Sequence, residues 1–183
     1  STHDGEETVI LDVYRRLLEI RPALKLIIVP RHVARAEGVA ELIRRAGFED
    51  FIRMTRMNAG KERQDERIVL VDVIGELFKI YSMATVVFCG GSLVRKGGQN
   101  ILEAAAWGKV VFHGPYMDDF CDEMALLHEA GAGITVHNKD DLYAQIREFI
   151  ENPELLRERG EAGRRAVTAS RGAAARYAEL IKM

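Results

Sequence analysis

Short apolar runs alternating with longer amphipathic stretches constrain this chain more than any other feature of its sequence. Leu24 to Val29 (LKLIIV), Phe51 to Met54, Ile68 to Val71 (IVLV), Thr85 to Cys89 (TVVFC), Val110 to His113 and Ile134 to Val136 have the length and apolar content of buried strands. Apolar residues recur at helical spacing in Glu6 to Ile20, Val33 to Ala46, Gly75 to Ser82, Asn100 to Trp107, Asp118 to Ala130 and Asp140 to Glu151. A last helix is predicted over Pro153 to Ile181, broken near Gly172, and Thr55 to Arg67 reads as a polar surface loop. Strands alternating with helices of this length imply right-handed crossovers and a parallel sheet covered on both faces. The fold class is α/β, doubly wound, and the 183 residues are read as one domain.

Composition narrows the function. A formal charge of -2 gives no basic field for nucleic acid. No apolar run approaches the roughly 20 residues that span a bilayer, and the opening STHDGEE carries no signal-peptide pattern. Cys89 and Cys121 lack metal-ligand or disulfide-framework spacing, and Cys89 is expected to be a small buried thiol in a reducing cytoplasm. The histidines show no HxxxH or HxH spacing, so no metal site is expected, and Ser92 lacks a G-x-S-x-G context. The helix at Glu6 is preceded by a loop with no strand before it. That is the pattern expected of a longer chain interrupted inside a β-loop-α unit.

In open parallel sheets ligands lie beyond the carboxyl ends of the strands. The rule selects Ser1 to Gly5, Pro30-Arg31-His32, Asp72 to Glu76, Gly90 to Asn100 and His113 to Met117. The richest of these is GGSLVRKGGQNILE. One glycine pair follows a strand and a second precedes a helix, so the backbone can approach a phosphate and the helix start can present free N–H groups. Gln99 or Asn100 could cap that helix, and Glu103 is better suited to a ribose or sugar hydroxyl than to a phosphate. The same residues also fit a tight turn and a capped helix with no ligand. Arg31 can hold a phosphate bidentately with His32 beside it, or form a surface ion pair. Asp72 and Glu76 could accept hydrogen bonds from a base or sugar, or simply charge a helix start.

Taken in order, STHDGEE, VPRH, VDVIGEL, CGGSLVRKGGQNILEAAAWGKVV and the Gly114-Pro115 turn resemble the C-terminal domain of Kdo (3-deoxy-D-manno-octulosonic acid) transferases of lipopolysaccharide synthesis. The resemblance runs from Ser1 to about Gly133 and more weakly to the last helix. It implies a Rossmann-like domain, the C-terminal half of a GT-B glycosyltransferase, that binds the donor CMP-Kdo. It also implies an inverting transfer without metal or other cofactor. The catalytic base would lie in an N-terminal domain that binds the lipid A precursor at the cytoplasmic face of the bacterial inner membrane. Carried over residue by residue, Arg31, Gly91, Ser92, Gly98, Asn100 and Glu103 match donor-binding positions, and Ser1, Thr2, His3 and Glu6 match a loop facing the interdomain cleft; beside these, His32 and Gln99 are expected at the donor and Asp72, Glu76 and Gly114 along the cleft.

Gln99 stands where the family usually has His, and Arg95 where Pro is common, which predicts a more mobile, more positive loop. No acceptor domain is present in these residues. The chain alone is therefore expected to bind donor but not to turn over, and to expose an apolar face that favours dimerisation. Two other readings remain at this point: a GT-B transferase or epimerase using a UDP-sugar, and a non-catalytic nucleotide-binding or interaction domain.

Overall fold

A computed structural model describes the backbone of residues 1–181 and the side chains of residues 1–170. Helix α1 (Glu6–Ile20) leads into β1 (Leu26–Ile28), α2 (Ala36–Arg45), β2 (Phe51–Arg53), α3 (Met54–Asn58) and β3 (Ile68–Leu70). The second half runs α4 (Leu77–Met83), β4 (Val86–Cys89), α5 (Leu102–Ala106), β5 (Val110–His113), α6 (Cys121–Glu129), β6 (Gly133–Thr135), α7 (Lys139–Glu151) and α8 (Pro153–Ile181). Every ladder is parallel.

Side-chain alternation along the central strands shows why both faces are covered. Ile68 and Leu70 of β3 pack with Leu11, Tyr14, Val39 and Ile43 from α1 and α2. Val69, between them, points the other way and packs with Ile52 and Ile80. In β5, Val110 and Phe112 meet Val13 and Leu17 of α1 and Ile146 and Phe149 of α7, while Val111 meets Ala104, Ala105 and Val167. A period of two thus sends successive residues into helices on opposite faces. Asn138 caps α7, its side chain accepting from the N–H groups of Asp140 and Asp141.

Three details depart from the sequence expectation. Instead of one continuous sheet there are two three-stranded sheets, ordered β1-β3-β2 and β4-β5-β6. No ladder joins β1 to β4 among the described residues. Ser1 and Thr2 lie between their carboxyl ends, with Thr2 bridging Pro30 in parallel. Below that bridge is an apolar cavity of about 190 Å³, lined by Leu26, Ile28, Val86 and Phe88 among others. Second, the polar stretch after β2 begins with the short helix α3, because Asp72 accepts hydrogen bonds from the backbone and hydroxyl of Thr55 (2.9 and 2.7 Å). Third, α8 runs unbroken through Gly172. A single glycine costs a helix only about 1 kcal/mol against alanine.

Candidate functional site

The loops at the carboxyl ends of β1 and β4 are held together by the first turn of α1. Gly5, in the left-handed region at φ 88°, starts that helix and leaves Glu6 and Glu7 in its first turn, both buried. Their two carboxylates point into different loops.

Glu6 fills the first glycine loop. Its Oε2 accepts from the N–H of Gly91 (2.7 Å) and of His3 (2.8 Å), and its Oε1 from those of Ser92 and Leu93 (both 3.1 Å). Successive N–H groups forming a concave cradle are an anion site, and here the anion is internal. Gly91, at φ 72°, allows the chain to curl around it. Ser92 is fully buried; its hydroxyl donates to the carbonyl of Cys89 and accepts from Gly114 N–H (2.8 Å). The N–H groups of Gly91, Ser92 and Gly114 are therefore engaged within the protein, and Glu6 is part of the interior rather than a cleft wall.

Glu7 serves the other loop. It accepts from Thr2 Oγ1 (2.8 Å) and forms a two-pronged pair with Arg35 at 2.6 and 3.2 Å. Hydrogen bonding to Glu7 raises the Arg35 pKa further. Thr2 is buried and its backbone binds both sides of the β1 end, donating to Val29 O and accepting from Arg31 N–H. Sequence reading singled out neither Glu7 nor Arg35. The available signal was the adjacent acidic pair at the helix start, a pattern that ordinary helix charging also produces.

What remains open to solvent is a cationic margin. Arg31 and His32 are exposed and, among the described residues, neither side chain has a carboxylate partner; the same holds for Lys96. The His3 ring sits edge-on to His32 at 6.1 Å and against Gly91, with its Nε2 buried and unpartnered. Desolvation lowers the His3 pKa, with Glu6 opposing and His32 and Lys96 reinforcing. Arg95 lies over the Tyr116 ring at 4.8 Å, which anchors a side chain expected to loosen the loop.

The second glycine pair lies beside this margin. Gly98 N–H donates to Gly91 O (3.0 Å), so the two pairs are tied across the loop. Gly98 is at φ 81°, and a Cβ there would strike Met117 Sδ. Asn100 Oδ1 accepts from Leu102 N–H (2.9 Å) at the start of α5, where Glu103 is half-buried in the first turn. Gln99 is half-buried, and its carbonyl accepts from Cys89 Sγ (3.5 Å), a thiol that burial pushes up to about 11. Asp72 is taken up by Thr55, and Glu76 pairs with Lys79 at 3.4 Å. These two carboxylates therefore have protein partners already.

A second polar cluster lies at the end of β5, and sequence reading did not identify it. His113 Nε2 is 2.9 Å from His128 Nε2, which is 3.1 Å from Thr135 Oγ1. Burial lowers both imidazole pKa values, which favours the neutral accepting ring this contact requires. Among the described residues no group of three His, Cys, Asp or Glu side chains could hold a metal, and no helix is long and apolar enough to cross a membrane.

A family model described as glycosyl transferase-like matches residues 59–182. The chain belongs to the glycosyl transferase-like family. The matched span takes in both glycine pairs, so this family membership includes the tied loop described above.

Among curated relatives, the 3-deoxy-D-manno-octulosonic acid transferase of Haemophilus influenzae is 36% identical over 183 residues, covering 100% of this chain and 42% of that protein. The enzyme of the same name from Aquifex aeolicus is 32% identical, covering 82% of this chain and 40% of its own length. The chain thus spans less than half the length of these relatives. Among solved structures, the C-terminal CMP-Kdo binding domain of WaaA from Acinetobacter baumannii superposes with a TM-score of 0.83 at 25% identity. That match covers 91% of this chain and 86% of that one. The α/β class and the resemblance to the C-terminal domain of Kdo transferases both stand.

Proposed function

We propose that this chain is the CMP-Kdo-binding domain of a Kdo transferase acting in lipopolysaccharide core synthesis. The observation that carries the reading is the close superposition on a CMP-Kdo binding domain. The cationic margin at the tied glycine loops supports it. The donor is anionic, and Arg31 and Lys96 are cations without carboxylate partners among the described residues, with His32 next to Arg31 and with Gly98, Gln99 and Asn100 in the same loop as Lys96. Arg31 offers the paired N–H groups that suit a phosphodiester. Glu103, half-buried at the start of α5, is placed to accept from a hydroxyl of the donor.

In this reading the chain supplies donor binding and no catalytic base, and the donor needs no metal or cofactor held by these residues. The acceptor, a lipid A precursor at the cytoplasmic face of the inner membrane, would be bound by another domain.

A competition titration separates this reading from a UDP-sugar enzyme and from a non-catalytic domain. CMP should bind and should not be displaced by equimolar UMP or UDP. Preference for UDP would overturn the donor assignment. Binding of none of the three would favour an interaction domain.

A further inference from the structure

We infer that Glu6 is a positioning residue for the donor. Its carboxylate occupies the amide cradle at Gly91 to Leu93, so the donor phosphate is excluded from that loop and the second glycine pair is set in place for it. This rests on the CMP-Kdo reading and deepens it.

A two-glycine loop after a parallel strand ordinarily invites an external phosphate. Here four N–H groups, from His3, Gly91, Ser92 and Leu93, are already satisfied by one buried side chain that comes from 85 or more residues earlier in the sequence for the loop amides. A phosphate could enter only by displacing the carboxylate, because two anions cannot share one small cradle.

The effect passes on through Gly91. Its N–H is held by Glu6 and its carbonyl accepts from Gly98 N–H, so fixing the first pair fixes the second. Gly97 is tied in turn through its carbonyl, which accepts from Asp119 N–H (3.1 Å). Lys96, Gln99 and Asn100 flank these anchored glycines in the chain.

Glu6→Gln is a sharp probe because it is nearly isosteric. Each carboxylate oxygen accepts from two N–H groups, so whichever way the amide is turned, its NH2 group faces two donors. CMP and cytidine are titrated separately into wild-type and variant chains by calorimetry, with thermal midpoints recorded alongside. The expected result is a loss of CMP affinity of about tenfold or more, with cytidine affinity unchanged within about twofold, since the nucleoside lacks the phosphate that the loop positions.

Unchanged CMP affinity would overturn the inference. So would an equal loss for CMP and cytidine, which marks general destabilisation, or tighter CMP binding, which marks the cradle as the true phosphate site. If Glu6→Gln does not stay folded, Glu6→Asp carries the test: a smaller loss confined to CMP supports the inference, and no CMP-selective loss overturns it. Failure of the wild-type chain to bind CMP would instead sink the donor reading, and this inference with it.

Discussion

Replacing Arg35 with alanine is expected to destabilise the protein by about 3 kcal/mol, the low end for breaking a buried ion pair. Glu7 is fully buried and Arg35 about a quarter exposed, joined at 2.6 and 3.2 Å. Truncation leaves the carboxylate with the Thr2 hydroxyl as its remaining side-chain donor. Partial exposure of Arg35 admits some water to the space it vacates, which is why the low end applies.

Urea unfolding should show a lower midpoint with an unchanged slope. Adding Glu7→Gln to Arg35→Ala should recover part of the loss, because a neutral amide tolerates burial better than an unpaired carboxylate. An Arg35→Ala protein as stable as wild type would show that the pair does not hold the β1 end.

Arg31→Ala is the opposite case. CMP affinity should fall about 10- to 100-fold, the range for losing charge-assisted hydrogen bonds worth roughly 1.5 to 3 kcal/mol. Thermal stability should not move, because the side chain is exposed and, among the described residues, unpaired. The backbone N–H of Arg31, which donates to Thr2 O at 2.9 Å, survives the substitution. Arg31→Lys should retain only part of the binding, since an ammonium cannot reproduce the planar fork. Calorimetric titration beside a thermal melt checks both halves. Full CMP affinity in Arg31→Ala would remove Arg31 from the donor site.

The contrast between these arginines shows how much the sequence revealed. The βα alternation was legible because period-two and period-3.6 patterns are local. Hence Ile68 to Leu70 and Val110 to His113 fall where they were expected. The loops at the strand ends follow from topology, and Arg31 at the tip of β1 is an instance. The role of Arg35 was not legible, because its partner Glu7 lies 28 residues away and a charge pair of that separation leaves no pattern.

The glycine loop failed differently. Gly91 and Ser92 were expected to face the donor, and here their N–H groups are held by Glu6. The chemistry of four N–H donors is the same whether the anion is a ligand phosphate or the chain's own Glu6, so only the three-dimensional contact distinguishes them. Ser92 was expected beside the donor; its hydroxyl can both donate and accept, and here Cys89 and Gly114 use both. The split between β1 and β4 depends on what lies between two strand edges, to which a one-dimensional pattern is blind.

The central claim is that a nucleotide donor sits at the Arg31 and Gly97 to Asn100 margin while the Gly91 to Leu93 amides stay bound to Glu6. Amide chemical-shift mapping of the wild-type chain during CMP titration tests it most directly. Saturable shifts should appear at Arg31, His32, Lys96, Gln99 and Asn100, with those of Ser92 and Leu93 small by comparison. Shifts largest at Ser92 and Leu93, or confined to the His113, His128 and Thr135 cluster, would contradict the account.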